Sequence, residues 1–251
     1  MLMAQVTPRY ALRPKPWYQR WWGIIIICCL TVILVVGSAF VFYTASIYWK
    51  VKTGQTTYQQ LYADLAGDQN SPPVETFDAP DAPYLGNPEA KIVLVEFGDF
   101  SCPFCARSSP VIKQLANLYP KDLKIVYRHF TIINEGSILA ANAAACAQEQ
   151  GNFAFWALND ILYTNQDKFT ADQMKTWAQE LGLESGRFNT CLDSQRYQSR
   201  IRRDLAAGWR AGAKRTPTFF LNGQKIEGYQ PLENWRPVID QLIEIVKQYN
   251  L

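Results

Sequence analysis

The 251-residue chain has a single histidine and three methionines. It has no His-rich or Met-rich segment to hold a soft metal, so a tethered Cu(I)-binding module is the least supported function its cysteines allow. Structural zinc normally takes four Cys or His ligands. Outside the long apolar run, the only candidates besides Cys102 and Cys105 are Cys146, Cys191 and His129, scattered singly with no second paired motif. No metal and no cofactor are expected. An electrostatic footprint for nucleic acid is also missing. The net charge of +3 is unevenly spread: residues 1–52 carry six Lys or Arg and no Asp or Glu, whereas the remainder carries 19 basic and 22 acidic residues. A slightly acidic domain argues against nucleic acid as a partner. No internal repeat is present. The hydrophobic content of 48% suffices for a packed core and argues against wholesale disorder.

Charge is absent altogether from Gly23 to Tyr43, which reads GIIIICCLTVILVVGSAFVFY. As a helix this run is about 31 Å long, close to the hydrocarbon thickness of a bilayer. The apolar region of a cleavable signal peptide is shorter, roughly 7–15 residues. Gly37-Ser38-Ala39 offers only a weak cleavage site, and length favours an uncleaved transmembrane anchor over residues 23–43. Trp21 and Trp22 on one flank, and Tyr43, Tyr48 and Trp49 on the other, suit the two interfaces. Four basic residues precede the span and two follow it closely. The positive-inside rule then makes residues 1–22 a cytoplasmic basic arm and puts the C-terminal domain outside, periplasmic or at the cell surface. Cys28 and Cys29 read as small apolar residues in lipid.

Residues 44–83 read as an extracytoplasmic linker. Gly67-Asp68-Gln69-Asn70-Ser71-Pro72-Pro73 and Asp78-Ala79-Pro80-Asp81-Ala82-Pro83 oppose regular structure, with room for a short helix around Tyr58–Leu65. Regular structure is expected to resume at Lys91. Ile92-Val93-Leu94-Val95-Glu96-Phe97 suits a buried strand. Pro103 to Tyr119 reads as a helix with Val111, Ile112, Leu115 and Leu118 at helical spacing. Leu123 to Phe130 is a second strand, and the chain is helical between about 137 and 213. Asn222-Gly223 between Thr218–Leu221 and Gln224–Ile226 is a strong hairpin signal. An amphipathic helix over 232–249 closes the chain. The order β-α-β, helical block, β-β-α predicts an α/β domain with a helical insertion.

Cys102-Pro103-Phe104-Cys105 sits where a strand gives way to a helix, which favours a redox pair over a zinc clip. Cys102 is expected at the helix N-cap and Pro103 at the first helical position, where a missing N–H costs nothing. The unpaired amides and the dipole of the helix start favour a thiolate at Cys102. Cys105, three residues on, is placed to resolve a mixed disulfide by internal attack.

With these features the chain resembles the thioredoxin superfamily, and within it the DsbA-like group with an inserted helical subdomain. Glu96 stands six residues before Cys102, where thioredoxin-like proteins keep a buried acid. Pro110 stands eight residues after it, where thioredoxin kinks its first helix. Thr216-Pro217-Thr218-Phe219-Phe220 resembles the loop whose proline is cis, opposite the cysteines. Gly86, Ala90, Asp99-Phe100 and Asn222-Gly223 also resemble DsbA-like sequences, and the likeness covers about residues 84–249, within a domain taken as 84–251. It implies a thioredoxin fold preceded by one transmembrane helix. It implies catalytic roles for Cys102 and Cys105, and proton relay by Glu96 to Cys105, the alternative being an acid satisfied by a Lys or Arg. It further implies substrate binding by Pro217 and by backbone groups of Thr216, along which an extended peptide pairs.

The resemblance implies a thiol–disulfide oxidoreductase. Its leading role is that of an oxidase for exported cysteine-containing proteins, with a quinone-linked membrane enzyme as reoxidase. The alternative is a reductase or isomerase supplied by an electron donor. DsbA itself has His where Phe104 stands, and Phe104 offers neither charge nor donor, so a less strongly oxidising disulfide is expected. Arg107 is the one cation near enough in sequence to compensate. The family often pairs cysteines at places like Cys146 and Cys191, so a structural disulfide is expected there, the alternative being two buried thiols. His129 is given no role, as a packed or surface residue. Arg200, Arg202, Arg203 and Arg210 read as a solvated helix face, with partner docking as the second option.

Overall fold

A computed structural model describes Tyr18, residues 21–52, Ala79 and residues 81–249. It divides into two units, residues 1–63 and 64–251. The described residues of the first form a long helix, α1 (Trp21–Lys52). Among the described residues, Cys28–Ala45 is the window long and apolar enough to cross a membrane, with a mean hydropathy of 2.2. Its hydroxyls are satisfied within the helix, as hydrocarbon surroundings would require. Thr31 donates to the carbonyl of Cys28 and Ser38 to that of Val35. The helix continues past Tyr43 to Lys52. The basic arm before Tyr18, the helix expected around residues 58–65 and most of the proline-rich stretch lie outside the described residues.

The second unit is a five-stranded mixed sheet with helices packed against it. Its strands are β1 (Tyr84–Gly86), β2 (Ile92–Gly98), β3 (Leu123–His129), β4 (Thr218–Leu221) and β5 (Gln224–Glu227), in the order β1-β3-β2-β4-β5. β2 is buried along its whole length and runs parallel to β3 and antiparallel to β4. A strand paired on both sides and covered on both faces needs a continuous apolar run, as its sequence has. Asn222 (φ 46°) and Gly223 (φ 91°) both take the left-handed conformation that a tight hairpin demands. The Asn222 side chain also accepts from the Val93 amide at 2.7 Å, tying the turn to β2.

Around the sheet lie α2 (Pro103–Leu118) and the terminal α8 (Leu232–Tyr249). The inserted helices are α3 (Glu135–Gln148), α4 (Asn152–Thr164), α5 (Ala171–Glu180), α6 (Ser185–Asp193) and α7 (Gln198–Arg210). Asn134 caps α3 in a reciprocal capping box with Ser137.

Four sequence expectations are corrected. Among the described residues of this unit, regular structure is present at β1, before Lys91. Three residues carry no strand pattern, and β1 is held from outside: Asn152 and the Trp156 indole both donate to the Tyr84 carbonyl, at 2.7 and 2.9 Å. Leu118 is 49% exposed, so the buried stripe of α2 is Val111, Ile112 and Leu115. β3 ends at His129, although Phe130 stays buried. Arg200 is not on a solvated face. It is buried, and donates to the Asp81 carbonyl and to Gln148 Oε1.

Cys146 of α3 and Cys191 of α6 are disulfide-bonded, with Cα atoms 5.8 Å apart and a sequence separation of 45. Cross-linking a loop of that size stabilises by about 4 kcal/mol through the unfolded chain. The Cys146→Ala/Cys191→Ala double variant is expected to melt about 10 °C below the wild type. Equal melting temperatures under non-reducing conditions would refute that contribution.

Candidate active site

β2 delivers the chain into a tight turn at its end. Cys102 N–H donates to the Asp99 carbonyl at 3.0 Å. The buried Asp99 carboxylate accepts from the amide of Ser101 at 2.8 Å, and from those of Ile132 and Ile133 at 2.8 and 3.0 Å. One side chain thus fixes both the turn and the loop that leads into α3. The Gln166 amide reaches in from the loop after α4 and donates to the carbonyls of Phe100 (2.7 Å) and Cys102 (2.9 Å).

On this frame Cys102 is the N-cap residue of α2 (φ −89°, ψ 119°), with Pro103 next. Cys102 and Cys105 are free thiols, both buried, while Phe104 between them is 55% exposed. The Cys102 thiol donates to the Thr216 carbonyl at 3.3 Å, and the Thr216–Pro217 bond is cis. The structure therefore brings Cys102, Cys105, Thr216, Pro217 and Glu96 to one end of the sheet. Cys146 and Cys191 belong to the same apolar cluster as Cys102 and Cys105 but are bonded to each other.

The two thiols are driven apart electrostatically. Cys102 is lowered to about 6, chiefly by the hydrogen bond from Cys105. Burial opposes this shift, whereas the Thr216 side chain and the amides of Cys105 and Phe104 add to it. The Thr216 hydroxyl is buried and has no other partner, so it is a donor in reserve for the thiolate. Cys105 is raised well above the ordinary thiol range by burial, by its bond to Cys102 and by Glu96. This is the division of labour that exchange chemistry needs: one sulfur ionises readily, while the other holds its proton until the first is engaged.

Glu96 is buried with one carboxylate oxygen unpartnered, and burial followed by the Cys102 charge pushes it up to about 8. Among the described residues no Lys or Arg pairs with it. Tyr127 and Tyr163 share a hydroxyl–hydroxyl bond of 3.1 Å, and both are held neutral by burial, with Cys105 and Glu96 among the further causes. Arg107 does not reach the thiolate. Its guanidinium lies 4.5 Å from the centroid of the Tyr229 ring. His129 is fully buried with both ring nitrogens unpartnered, and burial holds it neutral.

The family model described as Thioredoxin matches residues 78–241. The chain belongs to the thioredoxin family. Among solved structures, this thioredoxin-family domain is similar to the thiol-disulfide exchange protein α-DsbA2 from Wolbachia pipientis (TM-score 0.62, 20% identity, 67% of this chain and 90% of that one). It is also similar to BdbD from Bacillus subtilis (TM-score 0.60, 21% identity, 64% and 92%). These two speak for the fold. A thioredoxin-like oxidoreductase from Silicibacter pomeroyi DSS-3 is 29% identical (TM-score 0.59, 67% and 96%). Among curated relatives is the Na(+)/H(+) antiporter NhaA of Herminiimonas arsenicoxydans, 37% identical over 158 residues, 62% of this chain and 24% of that protein. The NhaA 3 antiporter of Salinispora tropica is 34% identical over 157 residues, 61% and 24%. The chain thus spans about a quarter of the length of the curated relatives it matches. By family model and fold, the domain over residues 78–241 is a thioredoxin-family domain.

Proposed function

We propose that this thioredoxin-family protein is a thiol–disulfide oxidoreductase, and specifically a membrane-anchored dithiol oxidase that forms disulfides in exported proteins. The observation that carries this reading is the opposed ionisation of Cys102 and Cys105. An oxidising disulfide is one whose reduced form is stabilised, and a Cys102 thiolate at about 6 stabilises it. In the oxidised protein a substrate thiolate attacks Cys102 Sγ. The Cys102–Cys105 bond breaks, and its electron pair leaves on Cys105, which takes a proton. Glu96, protonated below about 8, is the group we assign to supply it. A second substrate thiolate then attacks the substrate sulfur of the mixed disulfide. The substrate disulfide forms, and Cys102 leaves as its thiolate. Pro217 has no N–H to offer, so an extended substrate segment pairs instead with backbone groups of Thr216.

In the same proposal residues 23–43 span the membrane and residues 1–22 stay in the cytoplasm. Residues 44–83 tether the domain over 84–251 outside, where a membrane redox partner reoxidises the cysteines. The antiport activity named for the longer relatives is not part of this reading, since one helix among the described residues is long and apolar enough to span. Phe104 favours the reductase or isomerase alternative, because it adds nothing to hold the thiolate. Incubation with a reduced, unfolded two-cysteine protein separates the two. The oxidised full chain is expected to yield one substrate disulfide per molecule consumed. An equilibrium lying instead toward reduced substrate and oxidised chain would make it a reductase.

A further inference from the structure

Residues 196–215 carry seven Lys or Arg and one Asp, while the rest of residues 53–251 carries 12 basic and 21 acidic residues. A domain that is acidic elsewhere thus concentrates its positive charge on α7 and the loop after it. The exposed positions of α7 recur at helical spacing: Ser199, Arg202, Arg203, Trp209 and Arg210 lie on one face. Part of the charge is committed. Arg196 pairs with Glu149, Arg203 with Asp81 and Arg215 with Glu227, and the single acid, Asp204, is buried against Arg128. Arg202, Arg210 and Lys214 are exposed and have no partner among the described residues. Between them Trp209 is 51% exposed, with its ring against Phe130 at 5.0 Å. Beside this face a recess of ≈ 220 Å³ is lined in part by Asp81, Arg128, Arg203, Asp204 and Arg210.

We propose that this face of α7 seats on the anionic headgroups of a phospholipid bilayer. The inference rests on the membrane attachment proposed above, which keeps the domain tethered to such a surface. Unpaired arginines on one helix face with a half-exposed tryptophan among them match an interfacial helix: the cations meet phosphates and the indole enters the headgroup layer. A basic residue at an anionic surface raises affinity about fivefold, so three uncommitted cations raise it about a hundredfold. The negative remainder of the domain is repelled by the same surface, which fixes its orientation. Lys214 and Arg215 directly precede Thr216, so docking holds the cysteine pair close to the bilayer plane.

Trp209 is its own probe. The full chain is reconstituted into vesicles containing brominated lipid, which quenches tryptophan on contact. The Trp209 signal is the difference between wild type and Trp209→Phe, a variant that keeps a ring against Phe130. With brominated phosphatidylglycerol this signal is expected to fall about twofold or more, and high salt should restore it. With brominated phosphatidylcholine it should not fall. Arg202→Glu/Arg210→Glu/Lys214→Glu should remove the quenching in anionic vesicles. Equal Trp209 signals in the two lipids, with the chain resistant to alkaline carbonate extraction, overturn the docking alone. Extraction by carbonate overturns the attachment and the docking with it. A Trp209 signal that responds to polyglutamate but not to anionic lipid overturns the lipid assignment in favour of an acidic protein partner.

Discussion

Replacing Cys102 with serine is expected to lower the rate of disulfide transfer by about a thousandfold or more, because a hydroxyl neither ionises near neutral pH nor leaves as a sulfur does. The complementary variant, Cys105→Ala, keeps the attacking sulfur and loses the resolving one. It should accumulate mixed disulfides with cysteine-containing proteins, visible as bands that collapse on reduction. Both outcomes follow from the separated roles at the start of α2. In the proposed mechanism Cys102, lowered to about 6, exchanges, whereas Cys105, raised well above the ordinary thiol range, holds its proton. Near-wild-type transfer by Cys102→Ser would refute this assignment. Tight Cu(I) binding by the wild type, with no trapped species from Cys105→Ala, would favour metal capture instead.

Glu96→Gln is expected to stabilise the reduced protein by about 3 kcal/mol at pH 7 and about 5 kcal/mol above pH 8. The folded protein holds Glu96 protonated up to about 8, against 4.5 for the ordinary carboxyl. Between those values the native state binds a proton that the unfolded chain has lost, so this group's contribution to stability falls as pH rises. Glutamine mimics the protonated acid and removes the slope. Cys102 works in the opposite sense. Its folded value of about 6 lies below the ordinary 9, so its contribution appears as pH rises through that window. Neutral, buried His129 also adds stability as pH rises toward 6.5, so the wild type should hold roughly level from pH 4.5 to 8, where the rising slopes of His129 and then Cys102 offset the fall from Glu96. Glu96→Gln should rise over the same range. Urea unfolding of both proteins under reducing conditions, from pH 4 to 9, checks this. Parallel pH profiles would mean that Glu96 is not held protonated.

The same residues show what a sequence can and cannot disclose. Cys102-Pro103-Phe104-Cys105 was legible because N-caps and first-turn prolines are local chemistry, and Asn222-Gly223 because a tight hairpin selects its residues locally. The long charge-free run was legible as a helix from its length. What escaped was decided by partners distant in the chain. β1 exists because Asn152 and Trp156 hold Tyr84. Gln166 has no motif, yet it anchors the carbonyl of Cys102 from 64 residues away. Asp99 was visible as a family resemblance, but its hold on the Ile132 and Ile133 amides was not. Arg200 looked like its exposed neighbours in α7 and is buried, because Gln148 and the Asp81 carbonyl meet it there. Thr216 was expected to serve through its backbone, and the structure adds an unpartnered hydroxyl at the thiolate.

Phe104 remains the residue on which direction turns, since it leaves the thiolate to the helix amides, Cys105 and Thr216 alone. The most direct test is the reduction potential of the Cys102–Cys105 pair in the full chain, equilibrated against glutathione. A thiolate near 6 lies between the strongly and weakly ionised members of this fold, and we expect a potential between about −120 and −230 mV. A value near −270 mV, that of thioredoxin, would contradict the oxidase reading.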